Sequence, residues 1–106
     1  MAFRLRRKDG QRDPYDHGMW VAADGAAQIL PPEHFELLPI DYWTDQRGVR
    51  WPVEWLVRVG EQQWLVKAAI PDQTLDLALV YWEGLVRVLD ADGVRVGSGY
   101  LELTGY

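Results

Sequence analysis

The sequence predicts an all-β chain, an antiparallel up-and-down barrel of about eight strands. Three observations carry that expectation. Apolar residues recur with a period of two, turn signals return roughly every 10 to 20 residues, and no stretch sustains the i, i+3, i+4 spacing of an amphipathic helix. A sheet of such hairpins must close on itself or leave two edges exposed, and closure is the expected outcome.

The elements follow in chain order. "AFRLRRK" alternates Phe3 and Leu5 with Arg4 and Arg6, as a half-buried strand does. "GMWVAADGAAQIL" turns at Asp24-Gly25, which sets Trp20 against Ile29. "FELLPIDYWTDQRGVRWP" turns at 45–48, placing Ile40 opposite Val53 and Tyr42 opposite Trp51. In that register Trp43 falls on the other face beside Arg50, a cation–π pair. Pro39 and Pro52 lack ladder donors and call for an edge or a bulge.

"RWPVEWLVRVGEQQWLVKAAI" gives the clearest hairpin. A two-residue turn at Gly60-Glu61 pairs Val57 with Trp64, Trp55 with Val66 and Val53 with Ala68, and sets Glu54 beside Lys67 on the other face. The closing stretch, "YWEGLVRVLDADGVRVGSGYLELTGY", turns at 90–93. Its register joins Trp82 to Leu101 on an apolar face. On the other face it joins Glu83 to Tyr100 and Tyr81 to Glu102, a small square of two tyrosines and two carboxylates.

That square admits two readings. Inside a barrel, desolvation and a like charge would raise one carboxyl pKa, and a neutral carboxylic acid can protonate an alkene. Outside, the glutamates are solvated and the rings cover the sheet. Glu83 and Glu102 are therefore the candidate catalytic pair, and Tyr81, Tyr100, Trp43 and Trp82 the candidate ligand-binding residues.

Composition excludes several classes. At 106 residues the chain is one domain, 1–106, with 48% apolar residues and six Trp, which is not a disordered tail. A net charge of −5 argues against nucleic acid and anionic membranes as partners, although Arg4, Arg6, Arg7, Lys8 and Arg12 crowd the start. That basic run reads as a solvated face rather than a phosphate site. With no Cys there are no disulfides or thiolate metal sites. No hydrophobic signal core or spanning apolar run is present, so the chain is expected to be soluble, with its compartment open.

Other chemistry finds little support. Ser98 is the sole serine, and "GSG" lacks the spacing of a nucleophile elbow. His17 and His34 sit in turn-like stretches and read as loop histidines rather than metal ligands. "DADG" lacks the full donor set of a calcium loop. No cofactor is expected. Trp20, Trp51, Trp55, Trp64 and Trp82 all fall on apolar strand faces and are expected to be mostly core.

Taken in order, "FRLRRKDGQRDPYDHG", "YWTDQRGVRWPVEW", "PDQ", "YWEG" and "GSGYLELTGY" resemble the C-terminal domain of the carotenoid 1,2-hydratase (hydroxyneurosporene synthase) and AttH-like family, often labelled secreted hydrolases. Trp51 stands where the family pattern has tyrosine. The resemblance implies the second of two tandem lipocalin-like barrels, with an N-terminal barrel supplying much of the pocket. It implies chemistry on long apolar isoprenoids, and secreted or periplasmic family members. It also implies that the chain starts inside its first hairpin, as either an excised fragment or a stand-alone remnant whose exposed first strand pairs with another copy. No catalytic residue of the family is carried over.

The functional expectation is a binding or structural module for an apolar ligand or a partner barrel, without turnover on its own. The alternative is a hydratase domain using Glu83 or Glu102 as acid. A hydrolase is the weaker third reading, because no nucleophilic triad is available.

Overall fold

The computed structural model describes residues 1–106 and contains nine strands and one short 3-10 turn, Pro32–His34. The strands are β1 (Ala2–Phe3), β2 (His17–Val21), β3 (Ala27–Leu30), β4 (Phe35–Thr44), β5 (Arg50–Val59), β6 (Gln62–Ala68), β7 (Thr74–Asp76), β8 (Val80–Leu89) and β9 (Arg95–Thr104). They form a three-stranded sheet, β1-β2-β3, and a six-stranded sheet in the order β4-β5-β6-β8-β7, with β9 also on β8. The β1–β2, β2–β3, β6–β8, β7–β8 and β8–β9 pairings are antiparallel, so the all-β antiparallel class is correct. The order is not a pure meander, because β6 and β7 both pair with β8.

Two compact units make up the chain: Met1–Glu36 with Val59–Glu61, and Leu37–Arg58 with Gln62–Tyr106. In the first, β1 is shorter than the "AFRLRRK" alternation suggests. Asp16, only 3% exposed, accepts the Leu5 N–H at 2.7 Å. A buried carboxylate thus takes the donor that a longer strand would have given to its neighbour. The basic run is engaged locally as well. Arg7 pairs with Asp9 at 2.8 Å and lies 3.8 Å from Asp13, while the Arg12 guanidinium donates to the carbonyls of Pro32 and Phe35.

One loop design recurs three times and sets the registers. In residues 22–26, 45–49 and 90–94 the first N–H donates to the last carbonyl, and the fourth residue, a glycine, donates back to the first carbonyl. Gly25, Gly48 and Gly93 have φ of 88°, 83° and 78°. This is a type I turn followed by a left-handed residue, the three-residue hairpin loop. Each such loop closes one residue away from the spacing assumed from sequence.

The consequence is a parity change in two hairpins. Trp20 lies opposite Gln28, and Met19 takes Ile29; Trp20 shares the face of buried Leu30 but is itself 42% exposed rather than core. At the 45–49 loop the closure puts Trp43 against the buried cluster that holds Trp51. Arg50 instead stacks over Tyr42, with Cζ 4.6 Å from the ring centroid. The expected Trp43–Arg50 pair is therefore replaced by Tyr42–Arg50.

The Gly60-Glu61 hairpin has the contacts its register requires. Lys67 Nζ lies 2.9 Å from Glu54, and Arg58 Nε donates to Gln63 at 3.2 Å. In the second unit the core is Trp51, Ala68, Trp82 and Leu103, with Trp43, Val53, Trp55, Val80 and Leu101 packed on it. No helix is long and apolar enough to cross a membrane.

Candidate functional site

β8 and β9 carry the candidate residues, and their register differs from the one expected. Glu83 lies directly opposite Glu102, Tyr81 opposite Thr104, Leu85 opposite Tyr100 and Trp82 opposite Leu103. Two one-residue shifts cause this: the three-residue loop at 90–94 and a bulge between Val88 and Leu89. Because the shifts add to two, side-chain parity is unchanged. The square becomes a line of neighbours, yet Tyr81, Glu83, Tyr100 and Glu102 still share one face.

The two carboxylates stand at the closer of the two antiparallel spacings. The Glu83 N–H points away from β9 and donates to the Gln73 carbonyl at 3.1 Å. Glu83–Glu102 is therefore a non-hydrogen-bonded pair, for which Cα atoms lie about 4.5 Å apart. Like charges so opposed are destabilising unless something else engages them. Tyr100 does so, its hydroxyl donating to Glu83 Oε1 at 3.0 Å. That hydrogen bond raises the Tyr100 phenol above its ordinary value, assisted by partial desolvation and by the nearby charges of Glu83, Tyr81 and Glu102.

This face is open. Tyr100 is 69% and Leu85 49% exposed, Glu102 is exposed, and Glu83 and Tyr81 are half-buried. The opposite face holds Trp82, which is 0% exposed and donates its indole N–H to the Pro71 carbonyl at 2.7 Å. Trp43 is half-buried and packs with that core. The structure thus gathers Tyr81, Glu83, Tyr100 and Glu102 on one side of the hairpin, and assigns Trp43 and Trp82 to packing on the other.

Two further polar residues escaped sequence reasoning. Asp45 is a buried carboxylate that accepts the N–H groups of Arg47 and Val49, the Trp51 indole N–H at 3.2 Å and the Arg47 guanidinium at 2.9 Å. Burial alone would raise its pKa, but these donors outweigh that and hold it at about 2. Its signal was the shared loop pattern Asp45 to Val49 and Asp90 to Val94, whose first aspartate caps the loop in both cases. Gln73 is the second, joined through its carboxamide to Leu85. It stands in "PDQ", a string that alternation does not single out.

The histidines serve local structure. His17 Nδ1 lies 2.9 Å from the Tyr15 carbonyl, with its ring 5.6 Å from Phe3. His34 ends the 3-10 turn, its carbonyl accepting the Gly60 N–H. No group of three or more His, Asp or Glu is arranged to hold a metal ion.

An antiparallel all-β chain with a paired-glutamate, tyrosine-bearing hairpin defines the class, and comparison with known proteins gives the family. The AttH-like family model matches residues 1–106, and the chain belongs to that family. An AttH candidate from Nitrosomonas europaea, solved by crystallography, superposes with a TM-score of 0.87 at 34% identity, covering 99% of this chain. The chain spans 34% of that protein, about a third of its length. Among curated proteins none matches significantly.

Proposed function

We propose that residues 1–106 form one lipocalin-like barrel domain, a binding or structural module rather than an enzyme on its own. Its occupant is an apolar isoprenoid or lipid-like molecule, or a partner barrel. The observation that carries this reading is the openness of the Glu83–Glu102 face, where Tyr100 is 69% exposed. A carboxylic acid able to protonate an alkene needs dry surroundings that favour its neutral form. An exposed tyrosine and leucine beside an exposed Glu102 and a half-buried Glu83 instead suit docking.

Tyr81 and Tyr100 contact the occupant in this reading, with Glu83 and Glu102 fixing its polar end. Trp43 and Trp82, packed on the core face, support the sheet from beneath and meet a ligand only if it enters from that side. The match to about a third of the Nitrosomonas europaea protein supports a second domain as partner. The terminal place of β1 in its sheet supports a second copy instead, paired through that strand.

The close Glu83–Glu102 opposition favours one competing reading, a hydratase. There one carboxylic acid would protonate a C=C bond, the other would stabilise the resulting cation, and water would add to it, passing its extra proton back to the first carboxylate. Incubation with an isoprenoid alcohol such as geranylgeraniol, read by equilibrium binding and product mass, separates the two. Saturable binding without product supports the module. A product heavier by one water, abolished in Glu83→Gln and Glu102→Gln, would overturn it.

A further inference from the structure

β8 has a gap along the edge that β6 and β7 share. β6 pairs with residues 86–89 and β7 with residues 80–82, which leaves Glu83, Gly84 and Leu85 without a strand partner on that side. Their backbone groups are served by the connection between β6 and β7. The Ala69 N–H donates to the Leu85 carbonyl at 2.9 Å, and the Glu83 N–H donates to the Gln73 carbonyl at 3.1 Å.

The remaining partner is a side chain. The Leu85 N–H donates to Gln73 Oε1 at 2.9 Å, and Gln73 Nε2 donates to the carbonyls of Leu85 at 3.1 Å and Ile70 at 3.2 Å. The carboxamide therefore acts as a detached peptide unit completing the ladder. It lies directly over Gly84, where a Cβ would fall 2.0 Å from Oε1 and 2.8 Å from Nε2. Only glycine leaves that space. The neighbouring ties run the same way, through the Pro71 carbonyl to the Trp82 indole and from Asp72 to Thr74. The strings "PDQ" and "YWEG" thus interlock.

We infer that Gln73 is the positioning residue of the Glu83–Tyr100 pair. Its main chain holds Glu83 and its side chain holds Leu85, one on each side of Gly84. It thereby fixes the pleat of β8 at its most pliable residue. The direction of the Glu83 carboxylate toward the Tyr100 hydroxyl follows from that fixed pleat. The role in binding rests on the reading of this face as the docking surface; the positioning itself does not.

The test is a pH titration of the Tyr100 phenol, isolated as the difference between each protein and its Tyr100→Phe counterpart. Gln73→Ala is expected to return Tyr100 toward the ordinary value of about 10, with both Glu83 and Tyr100 intact. Gly84→Ala, which expels the carboxamide, is expected to do the same. Gln73→Glu, which keeps an acceptor for the Leu85 N–H, is expected to retain part of the elevation. A folded Gln73→Ala protein with an unchanged Tyr100 titration would overturn the inference. Should the variants not fold, side-chain amide exchange in the unaltered chain decides. Exchange slower at Gln73 than at the exposed Gln11, Gln28 and Gln46 supports it, and equal exchange overturns it. A shifted Tyr100 in a chain that binds no isoprenoid would leave the positioning standing and refute the isoprenoid as the occupant of this face.

Discussion

Tyr100 donates its hydroxyl to Glu83 at 3.0 Å although Glu83 sits directly opposite Glu102 rather than Tyr100. The bond is diagonal across the hairpin, and it engages one of two carboxylates held at close spacing. Replacing Glu83 by Gln removes the charge and weakens the acceptor. The Tyr100 phenol should then titrate nearer about 10, read from the ultraviolet difference spectrum on ionisation. The sign follows from the raised value in the fold. The contribution to stability is complete below the unfolded pKa and is lost as pH rises through the folded one. Glu83→Gln should flatten stability on the alkaline side only.

Asp45 governs the opposite limb. Its folded pKa of about 2 lies below the unfolded value of 3.8, so its contribution is present above about pH 4 and fades as pH falls toward about 2. Asp45→Asn should lower the melting temperature at neutral pH and remove part of the acid dependence in that window. Thermal unfolding of both proteins across the acid range checks this, and parallel curves would refute it.

Trp82 is wholly enclosed, with its N–H bound to Pro71. Trp82→Ala should cost about 3–5 kcal/mol in urea unfolding. Trp82→Phe should cost less, and the loss of the Pro71 bond should appear as faster amide exchange at residues 72–74.

The left-handed glycine of the 45–49 loop offers a sharper test of register. Gly48→Ala forces a Cβ into a φ of 83°, which should cost about 1–2 kcal/mol. Nothing else approaches that position, so Gly48→Asn should recover part of the loss. Equal stability of all three proteins would contradict the loop assignment.

The sequence disclosed the antiparallel sheet because alternation is a period-two signal that survives errors in loop length. Register was less legible, for one physical reason. The loops at Ala22, Asp45 and Asp90 close with a left-handed glycine as their third loop residue, and counting them as two- or four-residue turns displaces each hairpin by one. For that reason Trp20 lost Ile29 as its partner and Trp43 moved to the face of Trp51. Glu83 and Glu102 stayed together only because a bulge added a second shift. Gln73 was hidden differently: a carboxamide that replaces a peptide unit leaves no periodic trace, and its one sign was the glycine at 84. Asp45 looked like an ordinary turn residue because its Trp51 partner becomes a neighbour only after folding.

The most direct test of the central claim is a solvent relaxation measurement with a soluble paramagnetic agent. The Leu85 methyls and Tyr100 ring should broaden strongly in the free chain, the Trp82 ring should stay sharp, and a bound isoprenoid or partner domain should protect the first two. Leu85 and Tyr100 as sheltered as Trp82 before any ligand is added would mean that Glu83 and Glu102 line a closed, dry pocket. The docking account would then be wrong and the proton-donating one right.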